Sequence, residues 1–275
     1  MPNTLRPLSL GELLDRSFFL YRSHFGLFLG VVALPHLVLL AFQLLEIPLR
    51  PKTATGIAVT SLLLGLGFIV IYLAVIAASQ AATVIAVSRV HLDQTTSISE
   101  VFAAIRGRIL EISLIMIGVG IGVGMGLILL VIPGIFLALM WSLTIPVAVL
   151  EETGLRDSVA RSAELTKGSR GRIFVIYLLY SVLFYTLYLL FEFPLGIAII
   201  GMARQHQLAG GLPVWVQVAA PVATFIPQCL LAPLLTIALS LVYYDQRVRK
   251  EAFDLQHMMT MLDHGQGGAA GAALV

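Results

Sequence analysis

Ile112 to Leu150 is a run of 39 residues without one Asp, Glu, Lys or Arg. Four similar charge-free intervals accompany it: Ser23–Leu45, Thr53–Ser88, Ile173–Phe191 and Gln205–Tyr244. A helix needs about 20 mostly apolar residues to cross bilayer hydrocarbon, so these intervals predict membrane spans. The composition agrees: 59% of the 275 residues are hydrophobic and 12% charged, against roughly 45–50% and about 25% in soluble domains. One globule cannot bury that much apolar surface and still cover itself with polar groups.

The 39-residue run is long enough for two helices, and Pro133-Gly134 near its middle is a turn signal. The last interval opens with the loop-like stretch QHQLAGGLP. The expected architecture is therefore all-α and polytopic, with six spans near residues 24–45, 56–88, 112–132, 135–150, 173–192 and 214–244. Residues 1–260 form one transmembrane domain, and the Gly/Ala-rich residues 261–275 are expected to be a mobile tail. No short apolar core with a small-residue cleavage site follows the start, so no secretory signal is expected.

Lys and Arg in short loops set orientation. With the N-terminus inside, 14 of the 17 Lys and Arg fall on inner segments, leaving Arg50, Lys52 and Arg204 outside. This bias, with basic residues at both chain ends, predicts cytoplasmic termini and an even number of spans in a bacterial inner membrane.

Arg-Gly-Arg-Ile occurs twice, at Arg106–Ile109 and Arg170–Ile173, each time where an apolar run begins. An amphipathic stretch precedes each copy. In SISEVFAAIRGR, Ile98, Val101, Phe102 and Ile105 share a helical face, and Ser97 with Glu100 has capping-box spacing. SLGELLDRSFFLYR repeats that grammar through Ser9, Glu12 and the face of Leu10, Leu13, Leu14 and Phe18. TGLRDSVARSAELTKG lacks the box but keeps Leu155, Val159 and Ala163 on one face, with Gly168 as a stop. Interfacial helices are thus expected before the first, third and fifth spans. Arg22, Arg106, Arg108, Arg170 and Arg172 become candidate contacts for lipid phosphate, and Asp245 a partner for nearby arginines.

Within the spans, Gly118, Gly122 and Gly126 form a small-xxx-small face suited to close helix packing. Gln80, Gln217 and Gln228 are the candidate polar interior, explained most simply by hydrogen bonds between helices. Tyr177, Tyr180, Phe184, Tyr188 and Phe191 recur at helical spacing in the fifth span, as packing and lipid-facing aromatics. No acid or base sits at a midplane position, which disfavours an ion-coupled pump. The six histidines lack metal-ligand spacing, and Cys229 is the single cysteine. Neither a metallopeptidase motif, a nucleophile elbow nor a phosphate loop occurs. No cofactor and no nucleic-acid partner is expected; the net charge of +2 is too small for the latter.

The stretches LGELLDRSFFLYRSHF, VIPGIFLALMWSLTIPVAVLE, SAELTKGSRGRIF and LSLVYYDQRVRKEAFDL resemble bacterial membrane proteins labelled glycerophosphoryl diester phosphodiesterase membrane domain. The resemblance runs from about Leu5 to Leu255. It implies a domain found fused to a phosphodiesterase catalytic domain. That partner resembles a TIM barrel, which takes about 250 residues of its own, and six spans leave no room for it. No catalytic residue transfers to a position here. The expected role is a non-enzymatic, lipid-interacting scaffold or accessory module. The alternatives are a transporter or lipid-translocating protein, or the membrane part of a phosphodiesterase system.

Overall fold

The computed structural model describes residues 8–49, 54–92, 94–204 and 211–272, and side chains within them except those of 54–59 and 252–272. All regular structure among the described residues is helical: α1 Leu10–Ser23, α2 Phe25–Leu49, α3 Ala54–His91, α4 Ile98–Ile105, α5 Ile109–Leu129, α6 Val131–Met140, α7 Thr144–Leu150, α8 Leu155–Thr166, α9 Arg170–Arg204 and α10 Val214–Ala272. Six segments are long and apolar enough to cross a membrane: Phe25–Leu49, Thr60–His91, Ile109–Leu129, Val131–Leu150, Arg170–Arg204 and Val214–Glu251. Arg6, Arg50, Lys52, the loop residues 205–210 and tail residues 273–275 lie outside the described residues. The backbone of 261–272 continues α10.

Both capping boxes form. The Ser9 amide donates to Glu12 at 2.8 Å and the Glu12 amide to Ser9 Oγ at 3.3 Å; Ser97 and Glu100 repeat the exchange. These bonds hold the exposed Glu100 carboxyl below its ordinary range, with the Ser97 amide the largest cause. Gly168, at φ +88°, follows the end of α8 in the left-handed region, where glycine carries no Cβ penalty.

The hairpin between the third and fourth spans turns earlier than Pro133-Gly134 predicts. A single extended residue, Leu130 (φ −157°, ψ 134°), joins α5 to α6. Pro133 falls in the first turn of α6, where an N–H has no helical acceptor to lose. Gly134 is an approach site: a Cβ there would stand 2.5 Å from the Leu127 backbone nitrogen. The fourth span then breaks again at Trp141–Leu143, before α7. A straight helix would drive the Pro146 ring into the carbonyl of Ser142.

Polar side chains of α8 satisfy that break. Ser162 Oγ and Thr166 Oγ1 donate to the Met140 carbonyl at 2.9 and 3.1 Å. Ser162 Oγ also accepts from the Leu143 amide at 3.2 Å. The buried face of α8 is accordingly Ser158, Ser162, Leu165 and Thr166. The spacing pointed to Leu155, Val159 and Ala163, yet Leu155 is 42% exposed. Open helix ends inside an apolar medium outrank apolar burial as a demand on this face.

α10 is the central helix, with 61% of its most apolar window buried, against 11% for α9. Ile237, Ala238 and Leu241 of α10 share one core with Ala77, Ala81 and Ala86 of α3, Phe28 and Val31 of α2, and Leu13 of α1. α9 continues past Glu192 and Pro194 to Arg204, longer than the expected fifth span; one carboxylate does not end a helix whose backbone bonds continue.

Gly134→Ala should be costly because its Cβ would meet the Leu127 backbone nitrogen as closely as the Leu127 side chain. We expect a loss of about 1–3 kcal/mol, read as a lower midpoint in detergent-based unfolding, whereas Gly120→Ala, which meets open space, should leave the midpoint in place.

Candidate functional site

The five arginines of the predicted collar separate into three environments. Arg172 and Arg108 are engaged internally. Arg172 Nη1 lies 3.1 Å from Asp245 Oδ2, and its Nη2 donates to the Leu8 carbonyl at 2.8 Å. Arg249 makes the same pair of contacts, Nε to Asp245 Oδ2 at 2.9 Å and Nη2 to the Leu8 carbonyl at 2.8 Å. The Leu8 amide donates to Asp245 Oδ1 at 2.8 Å. The Asp245 side chain is 1% exposed, and it accepts from two guanidiniums, the Leu8 amide and, at 3.3 Å, the Gln246 side-chain amide. Arg108 Nε pairs with Glu111 at 3.0 Å, while its Nη2 donates to the Ala148 carbonyl in the last turn of α7 at 3.0 Å. A cation there complements the helix dipole.

Arg170 forms a second environment. Its guanidinium lies 4.4 Å from the centroid of the Phe136 ring on α6, and its buried Nε has no hydrogen-bond partner among the described residues. The third environment is the protein surface. Arg22 and Arg106 are exposed, stand just beyond or within the final turn of α1 and α4, and make no ion pair or hydrogen bond among the described residues.

A network not legible in the sequence closes the same end of the bundle. Arg161 of α8 bridges to Glu251 at 2.6 Å and to Glu151 at 3.5 Å. Tyr243 donates to Glu151 at 2.8 Å, and Arg247 pairs with Glu251. The Lys250 ammonium donates to the carbonyls of Glu164 and Lys167 at the end of α8. Charge signs alone gave no pairing among these residues, which lie up to 92 positions apart.

Gly118, Gly122 and Gly126 face Leu155, Trp141 and the pair Leu137 and Gly134, while Gly120 and Gly124 meet open space. The glutamines do not gather at one site. Gln217 donates to Leu212 O at 2.6 Å in the first turn of α10; Gln80 and Gln228 are half-buried and make no hydrogen bond among the described residues. The buried polar contact is instead His36 with Ser79. His36 Nδ1 lies 2.8 Å from the Val32 carbonyl and 3.3 Å from Ser79 Oγ. Its only sequence signal was a histidine inside an apolar run. No three His, Cys, Asp or Glu among the described residues are grouped to hold a metal.

An apolar groove of about 250 Å³ lies between α1, α9 and α10. Leu14, Ser17 and Phe18 form one wall, Tyr180 and Leu183 another, and Leu235 lies on α10. α1 is held along α10 at both ends, by Leu8 to Asp245 and by the Tyr21 hydroxyl to the Leu230 carbonyl at 2.7 Å. Burial, with Cys229 nearby, pushes the Tyr21 phenol up to about 12, so it remains a donor at ordinary pH.

Six apolar helices and a charged, internally bonded end define a multi-pass helical membrane protein. Within that class, residues 117–264, more than half the chain, match the family described as the membrane domain of glycerophosphoryl diester phosphodiesterase, and the chain belongs to it. No curated protein and no solved structure is significantly similar to it.

Arg108→Gln should lower stability by about 1–3 kcal/mol, because two charge-assisted bonds are lost. Arg106→Gln should change it by less than about 0.5 kcal/mol. Parallel unfolding curves in the same detergent separate the two.

Proposed function

We propose that the chain is a non-enzymatic membrane module that gathers anionic phospholipid at its Arg-rich face. It sits in a bacterial inner membrane with both termini in the cytoplasm. The observation that carries this is the pair Arg22 and Arg106, exposed and unpartnered among the described residues. Arg108 and Arg172 are bonded within the fold and Arg170 lies over the Phe136 ring, which leaves Arg22 and Arg106 of the collar for phosphate. Apolar side chains flank them: Phe18 and Phe19 on α1 are 50% and 65% exposed, and Leu110 beside Arg106 is 73% exposed. A cation beside an apolar anchor suits the boundary between headgroup and acyl chain. The concentration of Lys and Arg at this end supports the cytoplasmic orientation, and the family description supports an accessory role beside phospholipid-derived diester chemistry.

The broken fourth span has the form that transporters use at binding sites. Here Ser162 and Thr166 already occupy the freed Met140 carbonyl, which favours a structural role for the break over translocation.

Each basic side chain near an anionic surface is worth about 1 kcal/mol. The double variant Arg22→Gln/Arg106→Gln, about 2 kcal/mol in all, should therefore retain roughly thirtyfold less phosphatidylglycerol through detergent washing, with unchanged unfolding midpoint. Unchanged retention would remove the lipid-gathering role. Phosphodiester hydrolysis by the purified chain, lost on changing one acidic side chain, would overturn its non-enzymatic part.

A further inference from the structure

The Asp245 clamp ties down the beginnings of two helices. Leu8, just before α1, and Arg172, in the first turn of α9, both bond to it. From this common point α1 and α9 run along α10 and leave the groove between them, at the level of Leu234, Leu235 and Ala238. Its walls are almost wholly apolar, with Ser17 and the Tyr180 phenol as the polar side chains among them. Ser17 Oγ already donates to the Leu13 carbonyl at 2.7 Å. Such a cavity suits hydrocarbon and gives a polar solute little to bind.

One rim of the groove leads to a free cation. Leu14 and Phe18 line it, and Arg22 is the next residue in that four-residue series along α1. Side chains four apart on a helix are neighbours, about 5–6 Å between Cβ atoms. Phe18 is 50% exposed, so the apolar path stays open to the surface beside Arg22.

We propose that this groove holds one acyl chain of a phospholipid whose phosphate is bound by Arg22. The assignment deepens the lipid-gathering role and rests on it for the phosphate. The acyl chain passes over Phe18 and Leu14 and lies against Tyr180 and Leu183. Tyr180 is thereby a lining residue of a tail site, beyond the general lipid-facing role that its spacing predicted. Arg106, on α4, belongs to a separate surface contact.

The test uses the full chain in vesicles of phosphatidylcholine with phosphatidylglycerol, a trace of the latter carrying a diazirine in one acyl chain. After illumination, adducts are mapped by mass spectrometry. Wild type should show severalfold more label per residue on the groove segments of α1 and α9 than on the lipid-facing hairpin tip Ile128–Ile132. Leu235→Trp should bring groove label down to the tip level. Arg22→Gln, at an exposed position that leaves the fold intact, should lower it about fivefold, the worth of one basic group at an anionic surface. A diazirine diacylglycerol, lacking phosphate, should label the groove equally in wild type and Arg22→Gln.

Groove label equal to tip label in wild type overturns the tail site, whatever total phosphatidylglycerol retention shows. Groove label unaffected by Arg22→Gln overturns the phosphate contact. Strong groove label with phosphatidylglycerol retention unchanged in the Arg22/Arg106 double variant leaves the tail site standing and removes the lipid-gathering role, so the two failures are distinct.

Discussion

The Asp245 carboxylate is almost fully enclosed, and a buried charge left without partners costs several kcal/mol. Its partners come from three parts of the chain: Arg249 one turn along the same helix, Arg172 at the start of α9 and the Leu8 amide before α1. Both guanidiniums also serve the Leu8 carbonyl. The contact therefore fixes where α1 and α9 leave the central helix. The spacing between those two helices, and the groove it leaves, are consequences of that shared origin.

The same demand for satisfied polar groups accounts for the division among the cations. Arg108 ends on a carbonyl of α7, Lys250 on the carbonyl end of α8, and Arg161 on carboxylates of α7's end and α10. Each closes a helix terminus or a charge that the apolar surroundings would leave exposed. Arg22 and Arg106 have no such internal task. The cations at this end thus include some that hold helices together and, in Arg22 and Arg106, some that are exposed and unpartnered among the described residues.

The six-span outline was legible because charge-free length is a local property, and Ser9/Glu12 and Ser97/Glu100 were legible because capping is a three-residue affair. Pro133-Gly134 misled because the pair has two uses. Proline also starts helices, and glycine also admits a neighbouring helix; here each does the less expected thing. The break at Trp141–Leu143 was hidden inside one continuous apolar run, where Pro146 was its only trace. Its completion by Ser162 and Thr166 depends on residues 19 to 26 positions away, and no periodicity encodes that. The arginine collar was visible as a set, but its sorting was not. Arg108 and Arg172 are the second arginines of the two Arg-Gly-Arg-Ile copies, yet Arg108 bonds Glu111 and Ala148 while Arg172 bonds partners 73 and 164 residues distant.

The most direct measurement is a double-mutant cycle in reversible detergent unfolding, built from Asp245→Asn, Arg172→Gln and the pair together. Removing one partner of a buried ion pair costs about 3–5 kcal/mol. If the clamp organises the bundle, either single change should cost that much and the double change much less than their sum, a coupling of about 1–3 kcal/mol. Additive losses, or single changes within about 0.5 kcal/mol of wild type, would contradict it.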